Sequence, residues 1–191
     1  AEYLPIDALL EADVLTFHAP LTRDGADRTW HLADAGFIER MRHGSVLINT
    51  SRGAVVDGNA LLDALEGRQL NAAVLDVWEG EPKVSAPLLE AAAIGTPHIA
   101  GYSYDGKIRG TEMIRDAACR FFGIDSPWDP RDLMAPAPLQ RLYIRTVGMS
   151  RHEIVAEAVT SCYDITRDDR MMRGMLTLAE AERPAQFDRL R

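Results

Sequence analysis

Residues 45–67, SVLINTSRGAVVDGNALLDALEG, contain the pattern that decides the fold. The segment opens with an apolar strand, Ser45–Asn49, and closes with a helix, Asn59–Glu66, whose leucines recur at helical spacing before Gly67 stops it. Small polar residues, an arginine and a glycine separate the two elements. Ligands of a parallel α/β sheet bind outside the carboxyl ends of its strands. The segment therefore predicts a β–α unit with Arg52 at the mouth of a binding crevice.

Strand-like and helix-like segments alternate on both sides of this unit. Upstream lie a short helix, Leu4–Ala12, and a strand, Val14–Ala19. Downstream lie strands at Ala72–Val77 and His98–Gly101, followed by a long helix, Asp105–Gly123. The strands are apolar throughout, which is typical of a parallel sheet covered on both faces. The alternation predicts an α/β fold with a doubly wound parallel sheet.

A proline-rich segment divides the chain. Residues 125–138 hold four prolines in 14 residues, which indicates a linker between a domain at 1–124 and another at 139–191. In the second part, Leu142–Val147 is predicted to be a strand, and a capping box at 150–153 opens a helix. We therefore expect a small C-terminal α+β domain.

Two further expectations concern burial. Apolar residues of the long helix recur at helical spacing and predict a buried stripe formed by Ile114, Ala117, Ala118, Phe121 and Phe122. Three histidines lie on polar segments without the spacing of metal ligands, so we expect surface positions and no metal site for His31, His43 and His152.

Composition and charge exclude several classes of protein. Of the 191 residues 47% are hydrophobic and 26% charged, values of a globular chain that exclude extended disorder. No apolar run approaches the roughly 18–20 residues of a membrane span. The net charge of −8 argues against nucleic acid or an anionic membrane as partner. With two cysteines there is no disulfide framework, and with no signal-peptide pattern a cytoplasmic location is expected.

Three residue types that carry chemistry follow successive predicted strands. Arg52 follows one strand, carboxylates at 76–81 follow the next, and His98 lies at the last. Taken singly, each has an ordinary explanation: an arginine paired with an acid, solvated loop charges, and a core histidine. Together they suit oxidation of a 2-hydroxy acid, because a guanidinium binds the carboxylate and a histidine beside an acid takes the hydroxyl proton. A nicotinamide must accept the hydride, since no side chain can.

Four motifs resemble the D-2-hydroxyacid dehydrogenases: HAPLT (18–22), INTSRGAVVD (48–57), LDVWEGEP (75–82) and TPHIAG (96–101). The resemblance covers residues 5 to about 123. It implies that NAD is the cofactor.

The same resemblance implies roles for individual residues. Arg52 would bind the substrate carboxylate, His98 would be the acid–base, and Glu81 would be the partner of the histidine. A further set would line the cofactor: Ala19, Thr50, Ser51, Arg52, Asp76 and Gly101.

Within the family the chain resembles the branch that oxidises 4-phospho-D-erythronate in pyridoxal phosphate (vitamin B6) biosynthesis. Three features carry this resemblance: HIAGYSYDGKIRGTEMI (98–114), the short gap between Pro82 and His98, and the further C-terminal unit. It implies a phosphorylated 2-hydroxy acid as substrate, bound by Tyr102 with Arg52 and His98. It also implies a homodimer formed through residues 139–191.

A glycine-rich phosphate loop is missing from the sequence. No G-x-G-x-x-G occurs, nor the acidic residue about 20 positions beyond it. In a Rossmann-type sheet of order 3-2-1-4-5-6, we expect this chain to supply strands three to six. Val14–Ala19 and Ser45–Asn49 would then not be neighbours. We expect the loop and a substrate domain upstream of residue 1, and an isolated chain that is inactive and binds NAD weakly.

Three alternatives remain open at this point. The first is another member of the family, acting on phosphoglycerate, glycerate or lactate. The second is a non-catalytic, NAD-sensing protein such as the corepressors that resemble these dehydrogenases. The third is a non-catalytic fragment.

Overall fold

The computed structural model describes residues 3–126, 128–129, 139 and 141–191. These residues form two compact units: one runs up to His98 and includes Thr166–Arg191, and the other is Ile99–Ile165. No helix in these described ranges is both long enough and apolar enough to cross a membrane.

The first unit is built on a four-stranded parallel sheet whose strands lie in chain order. The strands are β1 (Val14–Phe17), β2 (Ser45–Asn49), β3 (Leu70–Leu75) and β4 (Ile94–Gly95). The helices that precede or connect them are α1 (Ile6–Leu9), α2 (Ala35–Arg40), α3 (Gly58–Glu66) and α4 (Ala86–Ala91). The predicted parallel α/β fold is confirmed, and with it the strand–loop–helix unit of residues 45–67.

The neighbours of β1 differ from the prediction. Val14–Ala19 and Ser45–Asn49 were expected to lie apart, but β1 pairs directly with β2, Val14 opposite Val46 and Phe17 opposite Asn49. The expectation assumed that these two segments are the third and fourth strands of a sheet with the order 3-2-1-4-5-6, in which strands three and four are not neighbours. That assumption was wrong. Successive crossovers that run in one direction instead place consecutive strands side by side.

Two predicted strands are also corrected. The last strand of the sheet is Ile94–Gly95 and not His98–Gly101, because Pro97 follows it and His98 takes a left-handed backbone with φ +57°. Residues 142–147 form no strand. A strand needs a partner for its backbone groups, and none of the described residues pairs with this segment.

Side-chain caps start the helices that flank the strands. The Asp57 carboxylate accepts hydrogen bonds from the backbone N–H groups of Asn59 and Ala60, which fixes the start of α3. Asp34 caps α2 in the same way. The core between helices and sheet is formed by large buried side chains, among them Ile38, Leu47, Leu61, Leu75 and Leu89.

The second unit contains α5 (Tyr104–Phe122) and α6 (Arg151–Cys162). The long predicted helix is confirmed to within a residue, and Gly123, at φ +64°, ends it. Its predicted buried stripe is wrong: no residue of α5 is buried, and the side chains of Ile114, Phe121 and Phe122 are exposed. None of the described residues of its own unit buries the stripe.

The predicted capping box at the start of α6 is confirmed. The Ser150 hydroxyl accepts from the Glu153 N–H, and the Glu153 carboxylate accepts from the Ser150 N–H. The hydrogen bond from the Ser150 backbone, and to a smaller extent the one with the Ser150 side chain, lowers the pKa of the Glu153 carboxyl.

The C-terminal segment contains α7 (Ile165–Gly174) and α8 (Arg183–Leu190). It contributes to the core of the first unit through Met172 of α7, Met175 just after α7, and Phe187 of α8. The compact units therefore do not follow the predicted division at 1–124 and 139–191. Most of the linker predicted at 125–138 lies outside the described residues. The assignment of these ranges to cofactor binding and dimerisation stays a prediction.

Arg173 joins the C-terminal segment to α4. Its guanidinium donates to the carbonyl oxygens of Leu89 (2.8 Å) and Ala92 (2.7 Å) at the end of that helix. It also pairs with Asp169 at 2.9 Å, whose other carboxylate oxygen accepts from the Gly95 N–H at 2.7 Å. One arginine thus satisfies carbonyls that a helix end leaves without partners.

Replacement of Arg173 by methionine tests this junction. Arg173→Met keeps much of the side-chain volume but removes the charge-assisted hydrogen bonds, so we expect a loss of about 2 kcal/mol in the free energy of unfolding. Urea denaturation measures it. Arg167→Met, an exposed position on the same helix, is the control and should change stability by less than about 0.5 kcal/mol. Equal stabilities for the two variants would contradict this account.

Candidate active site

The carboxyl ends of β2, β3 and β4 bring the candidate residues to one edge of the sheet. The parallel hydrogen bonding continues one step past the strands: the Asp76 N–H donates to Asn49 O at 3.0 Å, and the His98 N–H donates to Asp76 O at 2.7 Å. The buried Asp76 carboxylate also accepts from the Thr96 hydroxyl at 2.6 Å. The backbone on either side of Asp76 is therefore held rigidly between its neighbours.

His98 and Glu81 form a close pair. The Nδ1 atom of His98 lies 2.7 Å from Oε2 of Glu81, and each side chain is only 17% exposed. The second carboxylate oxygen of Glu81 accepts from the Trp78 N–H at 2.7 Å, which fixes its orientation. No hydrogen-bond partner for Nε2 of His98 occurs in the described part of the chain, so this nitrogen is available to a ligand. His98 also carries the left-handed backbone, and such strain is concentrated at functional sites.

Arg52 lies at a cleft beyond the ends of β1 and β2. Residues 18–21 and 50–52 line this cleft, whose volume is about 610 Å³. Three residues predicted to line the cofactor, Ala19, Thr50 and Ser51, therefore lie together with Arg52. The guanidinium donates to the Ser51 carbonyl at 2.6 Å. It forms no ion pair with any described acidic residue, so pairing with a neighbouring acid does not account for it.

The sequence interpretation missed one residue that lines this cleft, His18, and one buried beside the arginine loop, Asn49. His18 lies between two hydroxyls, with its Nε2 3.0 Å from Thr16 Oγ1 and its Nδ1 3.4 Å from Thr50 Oγ1. Asn49 is buried and accepts from both the N–H and the hydroxyl of Ser51, while its amide donates to Arg52 O. His18 lies in the motif HAPLT and Asn49 in the motif INTSRGAVVD, so their positions in these motifs could have indicated that they belong to the site.

Gly53 lets the arginine loop cross the turn that carries Glu81. A Cβ atom on Gly53 would lie 2.0 Å from both the carbonyl carbon and the oxygen of Trp78, and 2.4 Å from the nitrogen of Glu79. These contacts are with backbone, which has no room to yield. The buried Trp78 ring is itself anchored by a 2.9 Å hydrogen bond from Nε1 to Thr96 O.

His31 is not the surface histidine that the sequence suggested. Its side chain is only 18% exposed, and its Nε2 lies 2.7 Å from Oε1 of Glu79. The expectation was wrong because it considered only the polar residues next to His31 in the sequence. The acid that pairs with His31 is 48 residues away in the chain. His43 and His152 are exposed as expected.

The remaining predicted site residues, Gly101 and Tyr102, belong to the second unit. Their roles stay predictions. In the described ranges no group of three or more histidine, cysteine, aspartate or glutamate side chains is arranged to hold a metal ion.

Gly53→Ala tests the close crossing. The added methyl group must displace the backbone of Trp78 and Glu79, so we expect a loss of about 3 kcal/mol or more in the free energy of unfolding. Gly174→Ala is the matched control, because Gly174 has a right-handed helical backbone and nothing within 4 Å of its Cβ position. Urea denaturation compares the two, and unaltered stability of Gly53→Ala would refute the crossing.

Comparison with known proteins identifies relatives of this chain. The chain is similar to the erythronate-4-phosphate dehydrogenase of Salinibacter ruber, with 45% identity over 99% of this chain and 49% of that protein. It is also similar to the structure of D-lactate dehydrogenase with NAD⁺ from Lactobacillus jensenii (TM-score 0.54, 27% identity, 66% of this chain and 42% of that one). For the D-lactate dehydrogenase of Aquifex aeolicus complexed with NAD and lactic acid, the TM-score is 0.51 and the identity 32%, over 64% of this chain and 41% of that one.

The chain spans about half the length of the curated relatives it matches. The family model for the NAD-binding domain of D-isomer specific 2-hydroxyacid dehydrogenases matches residues 1–100, more than half of the chain. These residues include β1 to β4, the cleft beside Arg52 and the Glu81–His98 pair. The chain therefore belongs to the D-isomer specific 2-hydroxyacid dehydrogenase family.

Proposed function

We propose that this chain carries the carboxylate-binding and acid–base part of an NAD-dependent erythronate-4-phosphate dehydrogenase. The reaction is oxidation of 4-phospho-D-erythronate to its 2-oxo acid, a step of vitamin B6 biosynthesis. The observation that carries the proposal is the 2.7 Å Glu81–His98 pair at the sheet edge where Arg52 is free of acidic partners among the described residues. Relatives of that name, 43–45% identical over 99–100% of this chain, support the choice of substrate.

Arg52 binds the carboxylate of the substrate in this mechanism. Its planar guanidinium presents parallel N–H donors that match the two oxygens of a carboxylate. The Asn49 amide and the buried Ser51 shape the loop behind it, so the arginine is oriented before the substrate arrives. Binding at this point orients the C2 hydroxyl.

His98 takes the proton of the C2 hydroxyl at its Nε2 atom. Glu81 holds the ring through Nδ1, which selects the tautomer with a free Nε2 lone pair. When the proton arrives, the adjacent carboxylate stabilises the imidazolium that forms.

The cleft at residues 18–21 and 50–52 fits the nicotinamide end of NAD. It combines a volume of about 610 Å³ with hydroxyl and imidazole groups from Thr50 and His18 beside the apolar Ala19 and Leu21. Ala19, Thr50, Ser51 and Asp76 would hold that end of the cofactor, and the same role for Gly101 rests on the family resemblance alone. NAD supplies the acceptor for the hydride that leaves C2.

We further propose that the protein acts as a cytoplasmic homodimer. Apolar side chains exposed on α5 and α6, such as Ile114, Phe121, Val155 and Val159, support a partner chain, because large exposed apolar patches mark interaction surfaces. The two cysteines are unpaired, as is usual for a reducing compartment.

A substrate screen tests the proposed reaction. The chain, expressed with its natural flanking sequence, is mixed with NAD⁺ and 4-phosphoerythronate, 3-phosphoglycerate, D-glycerate or D-lactate, and NADH absorbance is followed. We expect the highest kcat/KM with 4-phosphoerythronate. His98→Asn should reduce turnover by about a thousandfold or more while NAD binding is retained. A preference for another acid would reassign the substrate, and NAD binding without any turnover would favour a sensing role.

Arg52→Ala tests the carboxylate site. Loss of the paired hydrogen bonds should raise KM for the hydroxy acid and lower kcat/KM by about a hundredfold or more. Arg52→Lys keeps the positive charge but loses the parallel N–H donors of the guanidinium. Its kcat/KM should lie between those of the wild type and Arg52→Ala. Kinetics of Arg52→Ala close to those of the wild type would show that another residue binds the carboxylate.

A further inference from the structure

Two histidine–glutamate pairs flank the short turn at 78–82. One is the Glu81–His98 pair of the proposed mechanism. The other joins Glu79 to His31, also at 2.7 Å, and has no part in that mechanism. Glu79 and Glu81 are two residues apart on a turn whose backbone is crowded against Gly53. Whatever holds Glu79 therefore acts on the backbone that carries Glu81.

His31 is held at both ring nitrogens and on one face of its ring. Its Nε2 meets Glu79, and its Nδ1 lies 3.4 Å from Oδ2 of Asp57. The ring stacks on Trp30, with centroids 3.7 Å apart and planes at 13°. The other Glu79 oxygen, Oε2, accepts from the Gly58 N–H at 3.2 Å. The Glu79 carboxylate thus bridges His31 and the start of α3.

The backbone around His31 also runs beside the arginine loop. The His31 N–H donates to Ala54 O at 2.8 Å, two residues beyond Arg52. Ala33 then donates to Val55 O at 3.1 Å and accepts from the Asp57 N–H at 3.0 Å. His31 therefore contacts both the loop that carries Arg52, through its backbone, and the turn that carries Glu81, through its ring. His31 has a φ of +49°, an unfavourable backbone for a histidine that these contacts must maintain.

We propose that His31 is a positioning residue for the reaction: through Glu79 it holds the Glu81 turn in register with the Arg52 loop, so that Glu81 meets His98. This inference rests on the proposed function for its kinetic consequence. It concerns the alignment of the acid–base pair and not the binding of NAD, because His31 lies outside the cleft at residues 18–21 and 50–52.

His31→Leu removes both ring nitrogens, and His31→Gln restores one amide donor toward Glu79. His43→Leu, at an exposed histidine, is the matched control. All variants are made in the chain with its natural flanking sequence. We expect His31→Leu to lower kcat by about tenfold or more, since small misplacements of catalytic groups are costly. KM for NAD⁺ should change by less than about twofold. His31→Gln should recover most of kcat, and His43→Leu should match the wild type.

The second readout does not depend on turnover. The ¹⁵N chemical shifts of the His98 ring, assigned by their loss in His98→Asn, report the hydrogen bond to Glu81. They should move in His31→Leu, return toward the wild-type values in His31→Gln, and stay in place in His43→Leu. Glu79→Gln should move them in the same direction as His31→Leu, because it weakens the same bridge.

The outcomes separate this inference from the proposed function. A wild-type protein that oxidises no 2-hydroxy acid, but whose His98 shifts respond to His31→Leu, contradicts the function and supports the positioning role. Unchanged His98 shifts, or kcat within about twofold of the wild type in folded His31→Leu, overturn the positioning role. Parallel losses of kcat and NAD affinity that glutamine does not reverse also overturn it, because they indicate general unfolding of the region. If His31→Leu does not fold, Glu79→Gln decides: displaced His98 shifts in this variant support the positioning role, and unchanged shifts overturn it.

Discussion

The backbone of Gly53 crosses the Trp78–Glu79 peptide so closely that no side chain fits between them. The rest of the site depends on this contact, because it sets the loop after β2 against the turn after β3. Arg52 lies one residue before the crossing, and Glu81 lies two residues after it. Backbone contact therefore sets the spacing between the carboxylate site and the acid–base pair of the proposed reaction. This spacing does not depend on the conformations of long side chains.

Hydrogen bonds at the strand ends make this arrangement rigid. Asn49 shapes the loop that follows β2, and Asp76 receives the backbone N–H of His98 while donating its own to Asn49. Asn49 and Asp76 are buried and His98 is half-buried. At such positions a polar atom without a hydrogen bond would destabilise the fold. The same geometry explains the unusual backbone of His98, since strain at one residue is maintained when several neighbours fix its position.

Much of this site was predictable because it is local in the sequence. The strand–loop–helix pattern at 45–67 depends on residue spacing, a helix cap and a glycine, all of which act within a few positions. The Glu81–His98 contact followed from family motifs whose spacing matched. The His31–Glu79 contact did not follow, because nothing in the neighbourhood of His31 indicates a carboxylate that is distant in the chain. The buried stripe expected on α5 failed for a related reason: periodicity shows that a face is apolar, and not that anything covers it.

The sequence by itself determined the parallel α/β class, the helix boundaries set by caps and glycines, and the residue types available for carboxylate binding and proton transfer. Those properties arise from interactions between residues close in the chain. The tertiary structure alone decided that β1 lies beside β2, that Met172, Met175 and Phe187 join the first core, and that His31 bridges two loops. Each of these depends on which surfaces meet after the chain folds. Local pattern does not contain that information, because one apolar or polar face is compatible with many partners.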